Sequence, residues 1–169
     1  LPVVFALDRA GIVGEDGPTH QGINDIAYLR HMPNMILMAP KDENELRQMV
    51  YSAFQYGHPV AIRFPKGKGF GVKIDREFSF LPVGQAELLK TGKDLIIAYG
   101  HLVYTALEVA NRLEEKGFSI GVINARFARP LDEDLIINQA RKAGVIFTLE
   151  EGILEGGFGS AVRELLDRH

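Results

Sequence analysis

The sequence contains no cysteine. This absence excludes disulfide bonds, cysteine-ligated zinc, iron–sulfur clusters and a thiol nucleophile, and it is compatible with a reducing compartment. An excess of positive charge is also missing: the net charge is −3, so there is no basis for expecting a nucleic-acid or anionic-membrane partner. No apolar run reaches the roughly 18 residues of a membrane span, and there is no signal-peptide pattern. The sequence thus excludes several classes of site and gives no sign of a membrane.

The chain of 169 residues is long enough for one ordinary domain or two small ones. Hydrophobic residues make up 46% and charged residues 24%, which is the balance of a soluble globular protein. Leu1 opens inside an apolar run typical of a buried strand, and residues 163–169 end inside a helical pattern. We therefore expect a fragment of a longer protein.

The first part of the chain alternates short apolar runs with helical patterns. Three runs have the composition of strands buried on both faces: residues 2–7, 35–38 and 60–63. Helical spacing covers residues 23–31, and a second helix is expected to begin at a capping box of Asp42 and Glu45 and to end near Gly57. This strand–helix–strand–helix–strand order predicts a parallel sheet with crossover helices.

The second part repeats this organisation after an extended connector over residues 66–81, and we place the domain boundary near residue 78. A candidate edge strand is predicted at residues 85–89, a buried strand at 94–99 and two further strands at 120–124 and 145–149. Three helices are predicted at residues 101–116, 132–143 and from 160 onward. The predicted fold class is therefore α/β, with two small, mostly parallel-sheet units at residues 1–78 and 79–169.

Residues 8–22 follow the first predicted strand and hold four glycines, three carboxylates, an arginine and a histidine. Such a loop at the carboxyl end of a parallel strand lies where α/β sheets bind ligands, so Arg9, Asp16 and His20 are candidates to converge on one. The alternative is a structural loop in which Asp16 caps a turn and Arg9 pairs with a neighbouring carboxylate. A metal site from Asp8, Asp16 and His20 matches no known spacing, and none is predicted.

Two further segments follow predicted strands. Residues 63–69 include Arg63, Lys66 and Lys68 and should share a sheet edge with residues 8–22; they are either a phosphate-binding turn or a solvated basic linker, and they are not a Walker A loop. Glu150 is either a functional acid, a turn cap or a subunit contact, and the glycine-rich residues 156–159 are interpreted as a tight turn. The histidines outside the first loop are interpreted as surface or packing residues.

Residues 8–14 running into residues 16–22 resemble the 1-deoxy-D-xylulose-5-phosphate synthase family of the transketolase superfamily. Residues 33–45, 63–67 and 150–160 agree with the same family in order, so the resemblance covers essentially the whole chain. It implies the later part of a thiamine-diphosphate pyrimidine-binding domain followed by a truncated transketolase C-terminal-like domain.

The resemblance also implies an activity. The family uses thiamine diphosphate and Mg²⁺ to decarboxylate pyruvate and join the two-carbon unit to D-glyceraldehyde 3-phosphate, forming 1-deoxy-D-xylulose 5-phosphate and CO₂ for isoprenoid and thiamine biosynthesis. By this resemblance His20 and Asp16 are catalytic, while Arg9 and Lys66 bind the acceptor phosphate, with Lys66 at a position that is usually arginine. A cytoplasmic homodimer is implied, or a plastid protein if the source is a plant.

The same resemblance places the main cofactor contacts upstream of this chain. The cofactor-activating glutamate, the aromatic that stacks on the pyrimidine and the domain that binds diphosphate and Mg²⁺ all precede residue 1, so no cofactor-binding residue is assigned here. The chain is expected to need the N-terminal portion of the same protein as a partner and to be inactive alone. Transketolase, the β subunit of a 2-oxo acid dehydrogenase and a non-catalytic assembly module remain as alternatives.

Overall fold

Two four-stranded sheets organise the chain in a computed structural model that describes residues 1–169. The strands are β1 (Val4–Leu7), β2 (Ile36–Met38), β3 (Val60–Arg63), β4 (Glu87–Lys90), β5 (Asp94–Ala98), β6 (Ile120–Asn124), β7 (Phe127–Arg129) and β8 (Ile146–Leu149). The helices are α1 (Asp25–Leu29), α2 (Glu43–Ala53), α3 (Leu102–Glu114), α4 (Glu133–Ala140) and α5 (Phe158–Leu166), with a single 3-10 turn at Pro18–His20.

The first sheet has the order β1-β3-β2-β7, and the second has the order β4-β6-β5-β8. Within the first, β1, β3 and β2 are parallel and β7 runs antiparallel to β2. Within the second, β6, β5 and β8 are parallel and β4 is an antiparallel edge strand. The predicted α/β class with two mostly parallel sheets is confirmed, as is the predicted edge strand, which begins two residues and ends one residue later than expected.

The strand β7 was not predicted, and it changes how the two parts meet. Phe127 belongs by sequence to the second part but is fully buried in a cluster with Met38, Met49 and Ile62 of the first. A strand of three residues carries too little periodicity to be recognised from sequence. The C-terminal part therefore supplies one edge of the N-terminal sheet.

Two local expectations differ from the structure. Residues 2–7 were expected to be buried on both faces, but Phe5 is 44% exposed because β1 is an edge strand with only β3 beside it. Residues 156–159 were interpreted as a tight turn; a turn is present at Gly156, but α5 already begins at Phe158, whose ring is buried against Tyr99 with 5.0 Å between ring centroids. The first error arises because only the packing partners decide which faces of a strand are covered, and the second is a helix boundary two residues before the predicted start at residue 160.

The predicted start of α2 is confirmed, and one of the two hydrogen bonds of the capping box is present. The Asp42 side chain accepts a hydrogen bond from the Glu45 backbone N–H at 2.7 Å. The Glu45 carboxylate turns back to the Lys41 N–H at 2.7 Å, one residue before the cap. Glu45 thereby remains beneath the helix start, where residues of the second sheet reach it.

Residues 66–81, the expected connector, have neither helix nor strand and lie along α2. The Glu43 carboxylate accepts three hydrogen bonds from consecutive backbone amides of this segment, at 2.5–3.1 Å. Further along, Tyr51 stacks on Phe78 with 4.7 Å between centroids, and the Arg47 guanidinium lies 3.7 Å from the same ring. The polar face of α2 is therefore tied to the connector; the boundary near residue 78 stays a prediction.

The largest apolar cluster draws on both parts of the chain. It combines Ile26 and Leu37 from the first part with Ile97, Ile123 and Phe158 from the second, all completely buried. Burying large side chains of this kind stabilises a fold by about 1.5–3 kcal/mol each, so the two sheets depend on each other for a shared core. No helix combines the length and the apolar character needed to cross a lipid bilayer.

Candidate functional site

The loop of residues 8–22 and the segment after β3 leave the first sheet at the same edge. Leu7 and Arg63, the last residues of the parallel strands β1 and β3, are direct register partners. The Ala10 N–H donates to the Phe64 carbonyl at 3.0 Å, which joins the two segments just beyond the strands. The expected shared carboxyl edge is thus confirmed.

Arg9, Asp16 and Lys66 form a charged cluster at this edge. The Asp16 carboxylate accepts from Arg9 Nε through one oxygen and from Lys66 Nζ through the other, both at 2.6 Å. Arg9 also pairs with Asp8 through Nη1. The Asp16 side chain is 18% exposed whereas those of Arg9 and Lys66 are 37% and 42% exposed, so the cations reach solvent over a covered carboxylate.

The cluster controls the ionisation of Asp16. The Lys66 ammonium, followed by the Arg9 guanidinium, lowers the pKa of Asp16 from 3.8 to about 2. Asp16 in turn raises the pKa of Arg9. Because the pKa of Asp16 is lower in the folded state, its contribution to stability is present above about pH 4 and is lost as the pH falls through about 2.

Replacing Lys66 with methionine is expected to raise the pKa of Asp16 from about 2 toward 3.8, since the lysine makes the largest contribution to lowering it. The measurement is an NMR titration of the Asp16 carboxyl carbon across the acidic range. Lys68→Met is the matched control, because Lys68 is exposed and makes no ion pair with Asp16. An unchanged Asp16 pKa in Lys66→Met would contradict the cluster geometry.

His20 lies in the same loop but is not joined to the cluster by a hydrogen bond or ion pair. It closes the 3-10 turn, is exposed, and its Nδ1 lies 3.0 Å from the Thr19 hydroxyl. The structure thus brings together Arg9, Asp16 and Lys66. The His20 ring is hydrogen-bonded only to the neighbouring Thr19 hydroxyl. The roles assigned to the four residues stay predictions.

Gln21 is a loop residue that the sequence did not single out. Its amide donates to the carbonyls of Val13 and Gly17, both at 2.8 Å, and its oxygen accepts from the Val13 N–H at 2.6 Å. At the base of the loop Gly11 and Gly22 exchange backbone hydrogen bonds at 2.8 and 2.9 Å. The loop is therefore internally braced at two levels. A glutamine in a loop has no local signal that reveals such a role.

A cleft of about 450 Å³ adjoins the cluster. It lies between the turns that follow β1, β2, β3 and β5, so it is formed at the carboxyl ends of strands from both sheets. Its charged lining residues are Asp8, Lys41, Asp42, Glu43, Lys66 and Lys68, and His101 also lines it. A concave, mixed-charge cleft at this edge is the arrangement expected for a small polar ligand.

Glu150 serves as a cap. Its two carboxylate oxygens accept hydrogen bonds from the N–H groups of Phe158 and Gly159, each at 2.8 Å, at the start of α5. A carboxylate at a helix N-terminus satisfies otherwise unpaired donors and favours the helix dipole. Of the alternatives considered from sequence, a turn cap is therefore the one that the contacts support. Its neighbour Glu151 lies 3.3 Å from His101 Nε2.

Arg63 does not lie with the exposed cations. Its side chain is 4% exposed and forms an ion pair with Asp25 of α1 at 2.8 Å. The sequence grouped Arg63 with Lys66 and Lys68 as a basic stretch, yet its position as the last residue of a buried strand was a usable signal of burial. No group of three or more His, Cys, Asp or Glu side chains is placed to hold a metal ion.

The comparisons with known proteins agree across the chain. Residues 1–70 match the family model of the transketolase pyrimidine binding domain, and residues 84–169 match that of the transketolase C-terminal domain. The chain is 58% identical, over its whole length, to the 1-deoxy-D-xylulose-5-phosphate synthase of Synechococcus elongatus. It is 56% identical, over 98% of its length, to 1-deoxy-D-xylulose-5-phosphate synthase 1 of Geobacter sulfurreducens. It spans only 27% and 26% of the length of these two relatives.

Solved structures show the same fold. A split-gene transketolase, described as an inactive beta4 tetramer, superposes with a TM-score of 0.87 at 35% identity. The match covers 98% of this chain and 54% of the transketolase chain. The transketolase of Campylobacter jejuni superposes with a TM-score of 0.68 at 26% identity, over 96% of this chain and 29% of its own. The resemblance found from the sequence motifs is thereby confirmed, and the chain belongs to the transketolase family, with 1-deoxy-D-xylulose-5-phosphate synthases among its similar relatives.

Proposed function

We propose that this chain forms the acceptor-binding wall of a 1-deoxy-D-xylulose-5-phosphate synthase active site. The reaction joins the two-carbon unit left by decarboxylation of pyruvate to D-glyceraldehyde 3-phosphate and releases CO₂. The observation that carries the proposal is the pair of solvent-reaching cations, Arg9 and Lys66, held by Asp16 at the carboxyl edge of the first sheet. Identity to synthases over the whole chain supports the choice of reaction.

The cluster has donors left for a phosphate. A guanidinium carries five N–H donors, and Arg9 spends two of them on Asp16 and Asp8. An ammonium carries three, and Lys66 spends one on Asp16. The remaining donors face a dianion with a preset spacing, because Asp16 restrains both side chains before the substrate arrives. Arg9 binds in a planar fork and Lys66 as a point charge.

Asp16 and His20 are assigned to the rest of the acceptor. The Asp16 carboxylate stays ionised well below neutral pH and can accept hydrogen bonds from acceptor hydroxyls. His20 is exposed at the loop surface, and imidazole side chains exchange protons near neutral pH, so it is assigned to hydrogen bonding or proton transfer at the reacting carbonyl.

Thiamine diphosphate with Mg²⁺ is the cofactor of the proposed reaction, and it would supply the carbanion chemistry for the two-carbon unit. The side chains of this chain do not fit the diphosphate and metal part of that group, since they form no cluster of three oxygen or nitrogen ligands of the required type. The chain alone is expected not to turn over; tight binding of thiamine diphosphate to residues 1–169, measured by calorimetry, would contradict this.

The test uses a fusion protein. The portion of the Synechococcus elongatus synthase that precedes the matched segment is joined to residues 1–169, which are 58% identical to the segment they replace. Incubation with pyruvate and D-glyceraldehyde 3-phosphate is expected to release CO₂ and 1-deoxy-D-xylulose 5-phosphate without a ketose donor. A product that forms only with a ketose donor would indicate transketolase activity instead, and no product with either donor would refute the proposal.

Arg9→Ala in this fusion is expected to raise KM for D-glyceraldehyde 3-phosphate about 10- to 100-fold, because hydrogen bonds to charged groups contribute about 1.5–3 kcal/mol each. KM for pyruvate, which has no phosphate, should stay close to that of the parent fusion. Arg112→Ala is the matched control, since Arg112 is 74% exposed on α3 and pairs only with Glu108. An unchanged acceptor KM in Arg9→Ala would remove Arg9 from the phosphate site.

A second candidate is a non-catalytic assembly module. It is supported by the similar solved protein described as an inactive beta4 tetramer, and by the apolar side chains Phe5 and Phe147, exposed by 44% and 54% on edge strands. Light scattering of the 169-residue chain and of the fusion separates the two candidates. Stable oligomers of the chain combined with a soluble but inactive fusion would favour assembly, whereas an active fusion favours catalysis.

A further inference from the structure

Arg63 makes contacts with three separate segments from a buried position. Its Nε donates to the Asp25 carboxylate at 2.8 Å, and its Nη2 donates to the carbonyls of Gly22 and Glu151, each at 3.0 Å. Gly22 ends the candidate substrate loop, Asp25 begins α1, and Glu151 belongs to the turn after β8 in the C-terminal part. One side chain thus joins both sheets to the loop.

The contact to Gly22 falls on the base of the loop. The Gly22 carbonyl already accepts the Gly11 N–H at 2.8 Å, and a Cβ on Gly22 would lie 2.1 Å from the Arg9 carbonyl oxygen. The two ends of the loop are therefore in close contact, with no space for adjustment there. A shift of Gly22 would be transmitted directly to the backbone of Arg9.

The contact to Glu151 connects the same base to the C-terminal part. While Arg63 holds the Glu151 carbonyl, the Glu151 side chain occupies the space beside Gly11, where a Cβ would lie 2.0 Å from its Oε2. Its carboxylate also lies 3.3 Å from Nε2 of His101, which precedes α3. The turn after β8 therefore contacts the base of the loop directly at Gly11 and indirectly through Arg63, which holds the Gly22 carbonyl.

An arginine is needed at this position because of its shape. Its planar guanidinium serves a carboxylate and two carbonyls in different directions and lies 5.8 Å from the centroid of the Tyr99 ring. A lysine carries its donors on a single nitrogen, whereas Arg63 reaches Asp25 through Nε and the two carbonyls through Nη2, so lysine does not reproduce this geometry. Lys66, three residues on, contacts only Asp16 among the charged groups, which makes the two cations different in kind.

We propose that Arg63 is a positioning residue: it sets where Arg9 and Asp16 stand relative to the C-terminal part and thereby where the acceptor phosphate binds. The expected kinetic effect of this inference rests on the proposed function. The expected effect of Arg63 on the base of the loop does not depend on that function. Arg63 does not touch the substrate and acts through the Gly22 carbonyl.

The kinetic test is Arg63→Lys in the fusion protein. We expect KM for D-glyceraldehyde 3-phosphate to rise about 10- to 100-fold, as for the loss of charge-assisted hydrogen bonds, with KM for pyruvate changed less than threefold or so. Added guanidinium ion should restore part of the acceptor affinity in Arg63→Ala, because the ion can occupy the vacated place. Asp25→Asn, which keeps the shape of the Arg63 partner, is a second variant expected to act in the same direction with a smaller effect.

Arg126→Lys is the matched control for loss of a buried arginine. Arg126 is 14% exposed and belongs to a separate ion network with Glu45 and Glu87. We expect Arg126→Lys to lower the melting temperature without changing KM for the acceptor. If Arg63→Lys behaves in the same way, with lowered melting temperature and unchanged acceptor KM, Arg63 is only structural and the proposal is overturned.

A readout independent of catalysis separates this inference from the proposed function. Amide hydrogen exchange at Gly11 in the 169-residue chain is expected to speed up at least about tenfold in Arg63→Lys, since the Gly22 carbonyl that accepts this amide is released. Arg126→Lys should leave this exchange unchanged. Unaltered Gly11 exchange in Arg63→Lys overturns the proposal even if the fusion is active. Faster Gly11 exchange combined with an inactive parent fusion supports the role of Arg63 in positioning the loop and refutes the synthase assignment.

Discussion

Glu45→Ala is expected to lower the free energy of unfolding by about 3–5 kcal/mol, the typical cost of removing one partner from a buried ion network. The Glu45 side chain is 3% exposed. Its carboxylate accepts hydrogen bonds from Arg126 Nε at 2.7 Å, from Asn124 Nδ2 at 2.9 Å and from the Lys41 N–H at 2.7 Å. The variant leaves Arg126 Nε and the Lys41 N–H without this acceptor, and it leaves Asn124 Nδ2 with only a longer contact of 3.5 Å to Glu87.

The loss should be large because the network joins the two parts of the chain. Glu45 is on α2, whereas Asn124 ends β6 and Arg126 precedes β7. Burial alone would lower the pKa of Lys41, but the carboxylates of Glu45, Asp42 and Glu87 together raise it. Removing the Glu45 carboxylate leaves Arg126 with Glu87 as its remaining ion-pair partner, and Lys41 with Asp42 and Glu87, at a mostly buried junction.

The measurement is urea unfolding of the 169-residue chain, followed by circular dichroism. Glu108→Ala is the matched control: Glu108 is 61% exposed and forms an i,i+4 pair with Arg112, and such pairs contribute about 0.3–0.5 kcal/mol. Equal effects of the two substitutions would show that the buried network contributes no more than a surface pair. Glu45→Gln, which keeps an acceptor oxygen, should fall between them.

Phe127→Ala is expected to cost about 3–5 kcal/mol, the usual range for deleting a buried phenylalanine ring from a core. Phe127 is completely buried among Ile36, Met38, Val60 and Ile62, all from the first sheet. The residue lies on β7, which pairs antiparallel with β2. The loss of its ring therefore weakens both the first core and the attachment of the C-terminal part to it.

The control for this variant is Phe118→Ala, which removes the same ring from a surface position. Phe118 precedes β6 and is 56% exposed. Chemical unfolding monitored by circular dichroism compares the two. If the sheets fold as one unit, Phe127→Ala should shift a single transition, and probes in either part should report the same midpoint. A loss no greater than that of Phe118→Ala would contradict the packing of β7 in the first core.

Most of the regular elements followed from local patterns. The start of α2 was predicted because an aspartate cap and a helical stripe are encoded within a few residues. Phe127–Arg129 was not predicted, because a short strand is defined by its partner β2 and carries too little pattern of its own. The same reason explains the exposed Phe5, since nothing in an apolar run tells an edge strand from a central one.

The location of the candidate site could be predicted from the sequence, but the contacts and burial of its side chains could be predicted only in part. The order of strands and loops indicated that residues 8–22 and Lys66 share one sheet edge, and the 2.6 Å contact between Asp16 and Lys66 agrees with this. The basic stretch, however, mixed a buried Arg63 with an exposed Lys66. Composition cannot separate these, because burial depends on what packs above a strand end.

By itself the sequence determined the α/β class, the alternation of strands and helices, the loop that carries Arg9 and Asp16, and the family motifs, since each is written in neighbouring residues. Only the tertiary structure decided that Arg63 braces the loop, that Glu45 joins the two sheets and that β7 completes the first sheet. These contacts link positions 41, 88 and 81 residues apart, for Arg63 with Gly22, Arg63 with Glu151 and Glu45 with Arg126. Hydrogen bonds and packing over such separations depend on the folded arrangement of the whole chain, so no local pattern encodes them.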